Sequence, residues 1–117
     1  MKSVLPPSCP MEALLRVITG PWTIYILWVL SERGPQRFGA IKRLVPGIST
    51  RVLTERLRML EHAGVVWREQ AMTIPPAVTY GLTERGAELR GVLDTLGSIA
   101  RRWEVEGAFD GTASAAE

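Results

Sequence analysis

Proline and glycine cut this chain into short pieces. Gly20-Pro21, Gly34-Pro35, Pro46-Gly47, Gly64 and Pro75-Pro76 recur so regularly that no long helix or long strand fits before Thr83. A glycine can end a helix in a left-handed turn and a proline cannot continue one. The fold must therefore be assembled from many small elements around one core. With 117 residues, 46% of them hydrophobic and 22% charged, the chain suits a single compact domain of two packed layers. The longest unbroken apolar run, Ile24 to Leu30, is seven residues, against the roughly 20 that a membrane span needs. Val4 and Leu5, caught between Ser3 and Pro6, are too few for a signal-peptide core. A cytoplasmic location and no membrane partner are expected. One cysteine, Cys9, cannot close an intrachain disulfide, and one histidine, His62, cannot build a familiar zinc cluster. No metal and no cofactor are expected.

Between the breaks, periodicity assigns the elements. Residues 1–8 read as an extended arm. Pro10 suits a first helical position, and Met11, Leu14, Leu15 and Ile18 then share one face of a short helix that Gly20 ends. Pro21 reopens a helix that is apolar almost all round from Trp22 to Leu30, which places it at the centre of the core, with Trp22 and Trp28 as core residues. Ala40 to Val45 is a helix of under two turns with Lys42 and Arg43 outward, stopped by Pro46-Gly47. Ser49 is placed to cap the next helix. There Val52, Leu53, Leu57, Leu60 and Ala63 point inward, while Arg51, Thr54, Arg58 and, at the edge, Glu55 gather outside. Arg56 lies nearer the apolar side and is expected to pair with a carboxylate. Val65 to Gln70 and Val78 to Leu82 read as two strands joined by a proline-rich loop. Thr83 then caps one long helix in which Leu89, Val92, Leu93, Leu96, Ile99, Ala100 and Trp103 keep a seven-residue repeat. Residues 9–104 form the expected domain. After Glu104 the tail is expected to be disordered over residues 105–117, of which Gly107 to Glu117 read as small and polar.

The order is helix, helix, short helix, sharp turn, amphipathic helix, hairpin, long helix. The fold class is mainly α with a small β-hairpin, a winged helix-turn-helix with N- and C-terminal dimerisation helices. Charge agrees with it. Residues 36–70 hold seven basic and three acidic residues, a net +4, whereas the remainder holds seven basic and nine acidic, a net −2. A basic middle suits contact with a polyanion through one face. In such an arrangement the short helix braces on a sugar-phosphate backbone and the Ser49-capped helix enters the major groove. The Ser49 and Thr50 hydroxyls can bind phosphate, with Lys42 and Arg43 beside them. Arg51 and Arg58 can each reach a guanine edge and Thr54 a thymine methyl, and Glu55 either reads cytosine or holds an arginine. Arg37, Arg68 and Thr79 flank this surface. His62, late in its helix, is a partner for the helix dipole.

The last helix, about 20 residues and so about 30 Å long, is longer than a small core covers. Leu14, Ile18, Leu89, Val92, Leu93, Leu96, Ile99 and Trp103 are candidates for a dimer interface, the alternative being docking on their own domain. Cys9 is either an inert buried thiol or a sensor whose thiolate is favoured by the helix that Pro10 opens. With no second cysteine, oxidation would join two subunits or add a small thiol.

Several ordered motifs carry a resemblance: Cys9-Pro10, Trp22-Thr23, Arg37-Phe38-Gly39, Pro46-Gly47-Ile48-Ser49 running into Leu53-Thr54-Glu55-Arg56-Leu57, then Leu60-Glu61-His62-Ala63-Gly64, Pro75-Pro76, Tyr80 and Leu82-Thr83. Over roughly residues 9–104 the chain resembles the HxlR-type winged helix-turn-helix transcriptional regulators, relatives of the MarR group. The resemblance implies a homodimer that binds double-stranded DNA at a pseudo-palindromic operator. It also implies, for some members, a response to a small electrophile or oxidant through a Cys-Pro cysteine like Cys9. Two positions depart from the family pattern: Pro21 stands where a lysine is common, and Ala77 where an arginine often follows the Pro-Pro pair. They support the alternative of a winged-helix dimer acting as a protein-interaction module without specific DNA binding. No catalytic residue is expected, since the chain has no Cys/His pair, glycine-rich phosphate loop or motif-set carboxylate pair.

Overall fold

A computed structural model describes residues 9–110; the expected N-terminal arm, residues 1–8, and residues 111–117 of the expected tail lie outside the described residues. The chain runs α1 (Pro10–Ile18), α2 (Thr23–Arg33), β1 (Gln36–Arg37), α3 (Phe38–Leu44), α4 (Thr50–His62), β2 (Val66–Ala71), β3 (Ala77–Leu82), α5 (Glu84–Ala87) and α6 (Arg90–Val105). The three strands form one antiparallel sheet in the order β1-β3-β2.

The core gathers one face from each element. Ile26, Leu27, Val29 and Leu30 of α2 meet Ile41 of α3, Leu53, Leu57 and Leu60 of α4, Val66 and Tyr80 of the sheet, and Leu93 of α6. The centrality of α2 follows from its sequence, since a helix apolar on most sides is stable only when surrounded. Its start differs from expectation. Pro21 does not open the helix; Thr23 does, after a turn in which its amide donates to the Gly20 carbonyl at 3.1 Å. Trp22 takes the N-cap position with φ of 71°, the left-handed region, which for a bulky residue costs on the order of 1–3 kcal/mol. That turn lets α1 and α2 bend by 83°. The Trp22 ring lies over the Pro46-Gly47 stop: a Cβ on Gly47, whose own φ is 93°, would stand 3.5 Å from it.

Three further differences have identifiable causes. Gln36–Arg37 pairs with β3, a two-residue strand too short to leave an alternation in the sequence. The long helix expected from Thr83 is two helices. Thr83 does cap, its hydroxyl accepting from the Gly86 amide at 3.1 Å while donating to the Gly64 carbonyl at 2.6 Å. At Glu88 and Leu89, however, the amides bond back only three residues, to Arg85 and Gly86, and the ladder restarts at Arg90. Gly86 and Gly91, both poor helix formers, flank the break. The remaining helix has 16 residues, about 24 Å, rather than 30. At its far end residues 105–110 are not a loose tail: Gly107 turns with φ of 78°, the Ala108 amide donates to the Trp103 carbonyl at 2.9 Å, and the Phe109 ring lies 6.2 Å from that of Trp103. Among the described residues, no single helix is long and apolar enough to cross a membrane.

Candidate nucleic-acid interface

The α3–turn–α4 unit forms as its punctuation requires. The Ser49 hydroxyl accepts from the Val52 amide at 3.1 Å, satisfying one of the free donors of the first turn. Leu53, Leu57 and Leu60 lock the inner face of α4 into the core. The register of the outer face is thereby fixed: Arg51, Glu55 and Arg58 are exposed, as are Ser49 and Thr50 at its start. Arg51 and Arg58 are seven residues apart, nearly in line along the helix and separated by about 10 Å. Lys42 and Arg43 are exposed in the last turn of α3.

Charge on this face is lightly held. Arg51 Nη1 pairs with Glu55 Oε2 at 3.2 Å with its side chain 81% exposed, an i,i+4 contact worth about 0.3–0.5 kcal/mol. A guanine edge offering two hydrogen bonds, worth about 1–3 kcal/mol of discrimination, outweighs it. Among the described residues Arg58 forms no ion pair. Thr54 is less available than expected: it is half-buried and its hydroxyl donates to the Thr50 carbonyl at 2.8 Å. Arg56 does pack, but its Nε donates to the Pro21 carbonyl oxygen at 2.9 Å rather than to a carboxylate. Its bond ties α4 to the turn between α1 and α2. The sequence showed only that Arg56 leans inward, and nothing in it identified a backbone acceptor 35 residues away.

The sheet splits the flanking set. Arg37 and Glu69 both stand opposite Thr79, so these three share one face, while Arg68 stands opposite Tyr80 and belongs to the other. Arg37 and Thr79 are together; Arg68 is not with them, and Glu69 brings a negative charge to their row. The dimer candidates divide as well. Leu93 is 2% exposed within its own chain and is unavailable to a partner. Ile18 and Leu89 pack against the same core, and Ile99 is half-buried. Leu14, Val92, Leu96 and Trp103 stay exposed. Cys9 is exposed, which removes the buried-thiol alternative; it occupies the N-cap position of α1 with no side-chain cap bond.

A capped helix held by its inner face, a short helix and tight turn before it, and a hairpin behind it define a winged helix-turn-helix protein. Comparison with known proteins agrees. The HxlR-like helix-turn-helix profile matches residues 17–107. The HTH-type transcriptional regulator YkvN of Bacillus subtilis is 36% identical over 107 residues, 88% of this chain and 90% of that one. A MarR-family transcriptional regulator from Porphyromonas gingivalis W83 superposes with a TM-score of 0.75 at 28% identity, covering 86% of this chain and 97% of the other. The redox regulator HypR in its oxidized form superposes with a TM-score of 0.74 at 36% identity, covering 80% and 96% respectively. This chain belongs to the HxlR-like helix-turn-helix family; it is a transcriptional regulator and not an enzyme.

Proposed function

We propose that the chain acts as a homodimer that binds a specific operator in double-stranded DNA, with α4 in the major groove and Cys9 as a thiol that alters binding when oxidised. The observation that carries this reading is the outer face of α4: capped, held in register, and presenting Arg51 and Arg58 in line and exposed. Lys42, Arg43, Ser49 and Thr50 supply phosphate contacts, Arg51, Thr54, Glu55 and Arg58 meet base edges, and Arg37 and Thr79 flank the duplex.

Dimerisation rests on apolar surface. None of the residues of α1 is buried, although Met11, Leu14 and Leu15 lie on it, and Val92, Leu96 and Trp103 are exposed along α6. So much open apolar area on two helices marks a protein interface. The exposure of Cys9 and the likeness to the redox regulator HypR support the thiol reading.

Titration of salt in a gel shift with the chain's own upstream DNA tests the reading. Two subunits with about four phosphate contacts each give a slope of log affinity on log salt near −7. Binding that barely changes with salt, or equal affinity for random DNA at every salt, contradicts it.

A further inference from the structure

The two longest helices of the core, α2 and α6, leave a space between them. A cavity of about 520 Å³ has Tyr25 and Trp28 of α2 on one wall and Leu96, Gly97 and Arg101 of α6 on the other, with Phe109 of the C-terminal turn also lining it. Sites for small molecules commonly run to about 300–1,000 Å³, with apolar walls and a few placed polar groups. This cavity has both properties. Its walls are mostly apolar, and its donors gather at one place.

That place is the indole nitrogen of Trp28. Trp28 Nε1 is buried and has no hydrogen-bond partner among the described residues. An orphaned interior donor is rare, because it forfeits its hydration and gains nothing in return. The ring is not loose: it meets Tyr25 edge-on, with centroids 6.4 Å apart. Gly97 lies beside it, and a Cβ there would stand 3.0 Å from Nε1. Glycine inside a helix costs stability relative to alanine, and here it keeps the space next to the indole open. Arg101, one turn further along α6, brings a cation to the same spot, its Nη1 3.7 Å from that Cβ position. Among the described residues Arg101 forms no ion pair. A buried neutral donor and a free cation thus converge where Gly97 has no side chain.

We propose that the cavity between α2 and α6 binds a small apolar monocarboxylate, whose body packs against Tyr25, Leu96 and Phe109 and whose carboxylate accepts from Trp28 Nε1 and pairs with Arg101. An indole N–H can only donate, so its partner must be an acceptor. A guanidinium bonds most strongly to an oxyanion, so that acceptor carries the charge. Glu104 lines the same cavity and opposes a second negative group, which restricts the ligand to one acid. The consequence for DNA rests on the regulatory reading above. Leu96 borders the cavity and is also exposed on the face of α6 proposed for the dimer, so a ligand lodged against it changes how α6 is presented to a partner and thereby the affinity for the operator.

The test titrates 2-naphthoate and, separately, octanoate into the ¹⁵N-labelled full chain, whose four tryptophans give four indole N–H signals; loss of one in Trp28→Phe assigns that of Trp28. At least one acid is expected to bind saturably and to move the Trp28 indole proton downfield as it gains an acceptor, and the tighter of the two shows whether the cavity takes a ring or a chain. Arg101→Gln, altered at an exposed position, is expected to bind about tenfold more weakly, and so is the uncharged alcohol of the same body. Gly97→Ala, which favours the helix but fills the space beside Nε1, is expected to lose the shift. An unmoved Trp28 signal with both acids, or equal affinity of wild type and Arg101→Gln, overturns the site and leaves the cavity to a second copy of the chain. In gel shifts on DNA that the chain enriches from a random pool, saturating acid is expected to change affinity about tenfold for wild type and not for Gly97→Ala; no change for wild type overturns the regulatory consequence. If the chain enriches no DNA, the DNA-binding reading fails, while the Trp28 signal still decides the site.

Discussion

Arg58 and Lys42 carry the same charge and are expected to behave differently. Arg58 projects from the outer face of α4, fixed by Leu57 and Leu60 beneath it, whereas Lys42 sits in the last turn of α3, where the proposed binding mode brings a phosphate backbone. Replacement of Arg58 by Ala is expected to cost about 1–3 kcal/mol on the operator and to relax base preference, while Lys42→Ala weakens all sequences alike and lowers the salt slope by about one. Competition gel shifts against operator and random DNA separate the two; equal losses on both for Arg58→Ala would remove it from base reading. Cys9 has its own test. Diamide is expected to change operator binding of the wild-type chain and to leave Cys9→Ser unaffected, whereas identical responses would show that the exposed thiol senses nothing.

Among the elements, α6 serves two surfaces at once. Leu93 faces inward and is covered by the core, while Leu96, three residues on, is 45% exposed. Leu96→Asp is therefore expected to leave the monomer folded but to convert a dimer to a monomer in sedimentation, with operator affinity falling about a hundredfold as the two half-sites lose their linkage. An unchanged dimer would exclude this face of α6 from the interface. How legible each element was depends on where its causes lie. The α4 cap, its inward stripe and the Pro46-Gly47 stop were readable because each rests on residues within one turn of one another. Missing from the sequence were features set by distant partners: β1 exists because Tyr80 and Thr79 offer it a ladder, Trp22 is held left-handed in a turn whose Pro21 carbonyl accepts from Arg56, and Leu93 leaves the apolar repeat for the core because α2 lies beside it. Periodicity told which α6 positions were apolar, and could not say which of two apolar surfaces each would meet.

For the whole molecule, these parts serve one geometry. The bond from Arg56 to the Pro21 carbonyl and the nearness of the Trp22 ring to the turn before α4 tie α4 to the turn that follows α1, on which Cys9 and the open apolar face reside. In the proposed dimer a change in how two α1 helices meet is expected to be felt at α4, and reading two half-sites one turn of duplex apart requires the two α4 helices to stand about 34 Å from each other. The central claim is that the face from Arg51 to Arg58 reads bases, and a crystal structure of the chain bound to DNA that it has itself enriched tests it most directly. The expected result is two copies related by a two-fold axis, each with Arg51 and Arg58 hydrogen-bonded to guanine edges in successive major grooves. A complex in which that face meets solvent or another protein, with the duplex held elsewhere, would contradict it.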